Sequence, residues 1–386
     1  MSGLAGTVTT VGRTMTEVAV ALRDEVAEMR LVAGRAPQCA MTAVAVALAT
    51  TVALAVHVDA VWWAAISAFV STRATGPASM QRGGLRVAGT AAGATLALLV
   101  SPWLVGDDVG LSLVLLVVST WGVAGFLVSR HGYAWLLGAV TADMVLLAAL
   151  GDPLSALAVA CNRTAEVTIG TVAAILMALV LAPNTEAAPP PTVAPGWCDL
   201  LGAQWPAVRH ALRAGISVML VPLAWNWAEL PGLSQTAVTV AAVMAVPALS
   251  NDAATDQQKV AERAMHRILG CLLGGVAGLA CLALSVENFL PWLLMLTAGV
   301  WVAAHVQGSQ RGIGYIGTQA AVVFITTLVQ DWGPPSSILP GIERLAGITG
   351  GLLILLVVSL LTAPSRSSGS LHPTQPGRST PVSIET

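Results

Sequence analysis

Long apolar runs, separated by short polar or Pro- and Gly-containing breaks, occupy most of the chain from residue 40 onward. Runs of about 20 residues suit α-helices that cross a bilayer, whereas barrel strands would be half as long and would alternate in polarity. The pattern predicts an all-α polytopic membrane protein of about 12 transmembrane helices. The predicted spans are 40–57, 60–79, 87–104, 109–128, 133–151, 155–182, 214–230, 233–249, 268–286, 290–307, 313–330 and 337–363.

Composition supports this fold class and excludes a soluble protein. Hydrophobic residues make up 55% of the chain and charged residues only 10%, against roughly 25% charged residues in soluble domains. We therefore expect the lipid bilayer as a partner and no nucleic acid, and we leave open whether the protein is a homo-oligomer. No nucleotide-binding loop, metal-ligand cluster or nucleophile arrangement occurs in the sequence, which predicts no cofactor, no metal and no enzymatic activity.

The polar segments divide the chain into five parts. Residues 13–32 carry Val18, Leu22, Val26 and Met29 roughly on one helical face, which predicts a short amphipathic helix in the cytosol. A Pro- and Ala-rich stretch separates two sets of six spans and suits a linker. The predicted organisation is a cytosolic amphipathic segment (1–39), a first six-helix module (40–182), a cytosolic linker (183–209), a second six-helix module (210–363) and a disordered cytosolic tail (364–386).

The distribution of cations predicts the orientation. With the N-terminus in the cytosol, every Lys and Arg except Arg163 and Arg344 falls on the inner side, and the predicted outer loops carry only acids. This is the bias of cytoplasmic loops in membrane proteins. We expect a multi-pass protein of the cell membrane, inner or plasma, with both termini cytoplasmic. Arg163 and Arg344 are the two exceptions to this distribution.

The motif Arg-x-x-(Gly/Glu)-x-x-x-Gly occurs four times, beginning at Arg86, Arg163, Arg267 and Arg344, and indicates an internal repeat. The intervals from Arg86 to Arg163 and from Arg267 to Arg344 are both 77 residues, and the two halves stand 181 residues apart. Three of the arginines precede glycines at four-residue spacing, which lets helices approach closely in lipid. In one copy Glu166 stands where the others have glycine, one turn after Arg163. The packing glycines predicted are Gly89, Gly93, Gly170, Gly270, Gly274, Gly347 and Gly351.

Two stretches carry a resemblance to a known family. "WWAAISAFVSTRATGPASMQRGGLRVAGTAAG" and "RTAEVTIGTVAAILMALVLAP" resemble the membrane module of the fusaric acid resistance (FUSC) family, which includes the bacterial aromatic acid exporters. The module is also similar to that of the plant aluminium-activated malate transporters, which are anion channels. The resemblance covers residues 40–182 and, more loosely, 210–363. Many family exporters carry a large cytosolic domain, in whose place this chain has only the Pro-rich linker.

The resemblance implies export of weak organic anions such as aromatic carboxylates. Arg86, Arg163, Arg267 and Arg344 could provide an anion path, with two arginines at inner mouths and two at outer mouths, because arginine stays charged and binds carboxylates through two hydrogen bonds. The alternative is that they anchor helices at headgroups. Glu166 and Glu343 could pair with Arg163 and Arg344 and merely neutralise them.

Asp143 is a candidate for proton coupling, because it lies near the middle of the predicted fifth span. A buried carboxylate can bind and release a proton within the membrane. The alternative is a structural Asp143, neutral or hydrogen-bonded to Thr141 or a neighbouring helix. Gln319 stands near the equivalent place in the second half, so we expect a single such carboxylate.

The sequence therefore favours a proton-driven exporter of small organic anions, with aromatic carboxylates as the favoured class. A passive anion channel and a non-transporting assembly or envelope protein are the alternatives. A channel would not need Asp143, and an assembly factor would work through its linker and tail.

Overall fold

The computed structural model describes residues 2–29, 34–152, 155–182, 197, 205–228, 233–246, 253–284, 286, 288–330 and 339–362. These residues form 13 α-helices, and the all-α class predicted from the sequence is confirmed. The helices are α1 (Ser2–Ala27), α2 (Ala36–Val56), α3 (Val61–Ser71), α4 (Gly76–Val100), α5 (Asp108–Val128), α6 (Gly132–Gly151), α7 (Ser155–Leu181), α8 (Trp205–Ala228), α9 (Leu233–Met244), α10 (Ala253–Leu282), α11 (Phe289–Gln307), α12 (Gly314–Leu328) and α13 (Leu339–Leu361).

Among the described residues, nine helices are long and apolar enough to cross a membrane, and three others are shorter. The predicted spans 60–79, 233–249 and 313–330 correspond to α3, α9 and α12, which have 11, 12 and 15 residues. At 1.5 Å per residue these helices rise about 16 to 23 Å, less than the roughly 30 Å hydrocarbon core. Twelve full-length spans are therefore not present in the described part of the chain.

The break between α3 and α4 has a local cause. The Thr75 hydroxyl caps α4 by accepting a hydrogen bond from the Ala78 amide, and Pro77 fits the first turn, where no amide donor is needed. α4 therefore begins at Gly76, whereas the sequence predicted a start at residue 87. As a result Arg86 lies inside α4, and Arg267 likewise lies well inside α10.

The helices of the two sets, α2–α7 and α8–α13, pack in corresponding pairs. α4 packs on α6 as α10 packs on α12, and α3 packs on α7 as α9 packs on α13. The two sets also pack on each other through corresponding helices. α5 of the first set packs on α8 of the second, and α11 of the second packs on α2 of the first. Each of the two large apolar clusters consequently takes residues from both sets. One contains α2, α3, α11 and α12, and the other contains α5, α6, α8 and α9.

α1 lies against the end of the bundle where α11 ends and α12 begins. Val18 and Leu22 pack there on Val306 and Ile313, but Val26, predicted on the same apolar face, is 55% exposed. The position facing the bundle one turn after Leu22 is Glu25, which is fully buried. The face therefore combines apolar contact with a buried carboxylate, which the hydrophobic pattern could not reveal.

Glu25 is held by residues from beyond α1. Its carboxylate accepts hydrogen bonds from Arg35, from the Ser309 hydroxyl at 2.6 Å and from Arg311 at 2.8 Å. His305 Nε2 lies 3.2 Å away. Burial alone would raise the pKa of Glu25, but the bonds from Ser309, Arg35 and Arg311 outweigh it and hold that pKa below its ordinary value.

The predicted linker and tail lie mostly outside the described residues. α8 begins at Trp205, so residues 205–209, predicted as the end of the linker, are helical. Within the linker Trp197 is described, and its ring lies between Trp121 and Trp135, with centroids 5.7 and 5.2 Å away. These contacts place this point of the linker beside α5 and α6.

Candidate functional site

The short helix α3 brings two buried arginines together. Arg86 from α4 donates from Nε to the Ser67 hydroxyl at 3.2 Å and from Nη1 to the Tyr133 hydroxyl at 2.8 Å. Arg163 from α7 stacks on Trp63, with its guanidinium carbon 3.5 Å from the ring centroid. Trp63 and Ser67 are one helical turn apart. The two arginines therefore lie against successive turns of the same helix.

Glu166 supports the start of α3. One of its carboxylate oxygens accepts a hydrogen bond from the Ala60 amide at 3.1 Å, and the side chain also interacts electrostatically with Arg163. A carboxylate at a helix N-terminus is favoured because the orphan amides there carry partial positive charge. Glu166, which replaces the glycine of the motif, thus stabilises the start of α3 and also lies near a charged residue, Arg163.

The short helix α9 holds the other two arginines in the same manner. Arg267 from α10 donates to the Gln319 side-chain oxygen at 2.7 Å and to the Thr239 hydroxyl at 3.1 Å. Arg344 from α13 donates to the Gln235 side-chain oxygen at 2.9 Å. Gln235 and Thr239 are again one turn apart.

The four arginines are buried in the bundle. Their side chains belong to residues that are 2 to 9% exposed. Arg163 is close enough to Arg86 and to Arg344 to interact electrostatically with both. The sequence predicted Arg86 at an inner mouth and Arg163 at an outer one, and in the structure both residues contact α3. We refer to Arg86, Arg163, Arg267 and Arg344 as the arginine cluster.

Several donors of this cluster have no hydrogen-bond partner within the described residues. They include Nε and Nη1 of Arg163 and Nε of both Arg267 and Arg344. Glu343, predicted as a possible partner of Arg344, is exposed, and no ion pair joins the two in the described part of the chain. Unsatisfied buried donors are costly, and the described residues supply no acceptor for these groups.

Asp143 lies on α6 and is fully buried. One carboxylate oxygen, Oδ2, accepts a hydrogen bond from the Ser119 hydroxyl at 2.7 Å, while Oδ1 has no partner within the described residues. Tyr133 and Tyr315 are each the second residue of their helix, α6 and α12, and on this alignment Ile325 corresponds to Asp143. Gln319, predicted near that place, lies six residues earlier and instead binds Arg267.

The comparison with known families falls on this same region. Residues 44–177 match the family model described as fusaric acid resistance protein-like. This segment is similar to the fusaric acid resistance proteins. The resemblance predicted from the sequence is confirmed for this part of the chain. The domain contains Arg86, Asp143, Arg163 and Glu166, and together with the long apolar helices it indicates a multi-pass membrane protein. Comparisons with curated proteins and with solved structures gave no match.

Glycines hold the arginine-bearing helices close to their neighbours in the fusaric acid resistance-like domain and beyond it. A Cβ on Gly89 or Gly93 would collide with the α6 backbone at Ala134 or Gly138. Gly270 and Gly274 meet α12 in the same way, Gly170 meets α3, and Gly351 meets α9. Gly347 is buried. These contacts fix the distance between each arginine and the helix that carries its partners.

A second group of cations, Arg73 and Arg82, lies where α3 meets α4. The sequence predicted only that these residues lie on the inner side of the membrane. The Arg82 guanidinium carbon stacks 3.6 Å from the Tyr133 ring centroid, and Arg73 interacts electrostatically with both residues. Burial and the neighbouring Arg82 lower the pKa of Arg73 to about 10. The signal for this group was the run of arginines before Arg86, which resembles ordinary positive-inside charge.

Metal chemistry has no visible site in the described residues. They contain no group of three or more His, Cys, Asp or Glu side chains that could hold a metal ion. The four described cysteines, Cys39, Cys161, Cys271 and Cys281, are free.

Proposed function

We propose that the protein is a membrane transporter that exports small organic anions, and that the anion passes the arginine cluster. The observation that carries this proposal is the convergence of four buried arginines on the two short helices, with several donors left free. A cation inside the membrane costs a few kcal/mol or more, so its presence needs a reason. Guanidinium groups that rest on a ring, hydroxyls and amides keep their charge available to a carboxylate.

The wider arrangement in this proposal follows from the sequence. The two sets of six helices are an internal repeat, both termini face the cytosol, and the protein lies in the cell membrane as a monomer or a homo-oligomer. Aromatic carboxylates are the proposed substrate class, because residues 44–177 are similar to the fusaric acid resistance family. Proton coupling is assigned to Asp143, whose free Oδ1 lies in the bundle interior.

Transport in proteoliposomes tests the role of the arginines. Arg163→Gln and Arg344→Gln should each lower the rate of radiolabelled benzoate efflux at least about tenfold, because each removes a charge-assisted contact. Arg130→Gln is the control, since it removes the same charge from an exposed position. Wild-type rates in both cluster variants, with unchanged size-exclusion profiles, would overturn the proposed path. No benzoate flux above empty liposomes in the wild type would favour the assembly alternative.

The same assay tests coupling. In Asp143→Asn, efflux should no longer respond to an imposed pH gradient but should persist under a membrane potential. A full response to the pH gradient in this variant would exclude coupling through Asp143. A wild-type protein that ignores the pH gradient would support the passive channel.

A further inference from the structure

Three arginines surround one tyrosine at the α3–α4 end of the bundle. Arg86 binds the Tyr133 hydroxyl, Arg82 stacks on the face of the same ring, and Arg73 lies within electrostatic range of Arg82 and Tyr133. The backbone of Arg73 is fixed, because its amide donates to the Ser79 hydroxyl at 2.8 Å. Arg73 is thus held near the group rather than carried on a free loop.

The charges of Arg73 and Arg82 are not balanced by acids in the described part of the chain. No ion pair joins either residue to a carboxylate there, and the Arg82 Nε is buried without a hydrogen-bond partner. Like charges held together in a partly buried place repel one another strongly. The group is therefore incomplete without a negative charge.

The second set of helices shows that the fold does not require this group. Arg263 stacks on Tyr315 at 4.0 Å, as Arg82 does on Tyr133, but its Nε donates to the Ala242 carbonyl at 2.8 Å. Trp63 and Ser67 of α3 correspond to Gln235 and Thr239 of α9 by their arginine contacts, so the counterpart of Arg73 is Ala245, which is 2% exposed. Among these residues, only the α3 side has the additional cation, Arg73, and an arginine Nε without a hydrogen-bond partner, that of Arg82.

We propose that Arg73, Arg82 and Tyr133 form a binding site for a small oxyanion, separate from the arginine cluster but adjacent to it through Arg86. Two guanidinium forks can each offer a carboxylate or phosphate two parallel hydrogen bonds. A bound oxyanion would balance the repulsion between the forks and satisfy Arg82 Nε. Binding at this site does not depend on transport. Its use as the loading step for Arg86 rests on the proposed function.

Calorimetric titration of the full-length protein in detergent tests the site. At constant ionic strength we expect saturable binding of acetate and of inorganic phosphate, and weaker binding of chloride, which cannot use the paired donors. Arg73→Gln should weaken acetate and phosphate binding about tenfold, the loss expected for about 1.4 kcal/mol. Arg130→Gln, which removes the same charge from an exposed position at the same predicted side of the membrane, should leave binding unchanged.

The outcomes separate this site from the proposed transport. Equal binding in wild type and Arg73→Gln, or equal losses in Arg73→Gln and Arg130→Gln, would overturn the oxyanion site. Arg82→Gln provides a second variant if Arg73→Gln does not fold, as judged by its size-exclusion profile. Binding that Arg73→Gln weakens while Arg163→Gln leaves it intact supports the site even if benzoate efflux is absent. Efflux that fails only in Arg163→Gln concerns the arginine cluster instead.

Discussion

At the scale of single residues, the arginine cluster has mostly neutral partners, and the exception is Glu166 beside Arg163. Arg163 rests on the Trp63 ring, and Arg344 is held by the Gln235 amide rather than by its exposed neighbour Glu343. A buried acid beside each arginine would have cancelled all four charges. Neutral contacts orient the guanidinium groups and leave their positive field in the bundle interior.

Adjacent glycines on α10 allow a matched test of close packing. Gly274→Ala should destabilise the protein by about 1 to 3 kcal/mol, because the new methyl group would overlap the Ala320 carbonyl oxygen of α12. Gly275→Ala should be neutral or slightly stabilising, since its Cβ would meet only Val323 Cγ1 at 3.6 Å and alanine favours helix. Thermal midpoints in detergent measure the difference. Equal midpoints for the two variants would contradict the packing role of Gly274.

The arginines could be found from the sequence, but their partners could not. The 77-residue spacing identified all four positions, since a repeat preserves intervals along the chain. Trp63 and Gln235 lie about 100 residues from the arginines they contact, and nothing in the local pattern connects them. Glu25 escaped for a similar reason, because its partners Arg35, Ser309 and Arg311 come together only when α1 docks.

At the scale of elements, α1 is attached to the bundle by a charge that depends on pH. The pKa of Glu25 is lowered in the folded protein, so its contribution to docking is complete above its ordinary value of 4.5 and is lost as pH falls through the lower folded value. Hydrogen exchange of residues 15–27, corrected for the intrinsic rate, should therefore rise as pH falls below about 4.5.

A substitution provides the control for this docking. Glu25→Gln should increase exchange of residues 15–27 already at neutral pH and remove its dependence on pH in this range. Glu17→Gln, which changes an exposed acid of the same helix, should behave like the wild type. Unchanged exchange in Glu25→Gln would mean that the apolar contacts of Val18 and Leu22 suffice to hold α1.

The lengths of the helices were predicted less well than their number. The predicted span 60–79 combined α3 with the connection and the first turn of α4. Hydropathy did not separate them, because small apolar residues and Gly interrupt the polar ones across residues 72–86. The Thr75 cap and Pro77 mark the true boundary, but such signals are short and compete with a long apolar average. The same averaging extended α9 beyond Met244.

At the scale of the whole molecule, the two sets of helices interlock. Each large apolar cluster includes helices of both sets, so neither set has a complete core of its own. The intervals in the sequence predicted which helix pairs would match. They did not predict that α5 would pack on the second set and α11 on the first. Sequence periodicity determines which helices correspond, whereas packing between the sets depends on surfaces that are apolar in lipid as well as in the core.

Cysteine labelling tests the predicted orientation of the bundle. In a background whose native cysteines are replaced by alanine, Val105→Cys should react with a membrane-impermeant maleimide in intact cells, since residue 105 is exposed at the predicted outer end. Gln310→Cys, exposed at the other end, should react only after lysis. The reverse pattern would contradict a cytosolic N-terminus.

The carboxylate of Asp143, which is buried in α6 and has Ile325 as its counterpart in α12, has an electrical consequence. Export of a monovalent anion coupled to import of one proton moves two positive charge equivalents inward per cycle. An inside-negative voltage would then contribute about 4.6 kcal/mol per 100 mV, twice the roughly 2.3 kcal/mol available to an uncoupled anion. The reversal potential of the current would therefore shift with the proton gradient for a coupled exporter and follow the anion gradient alone for a channel.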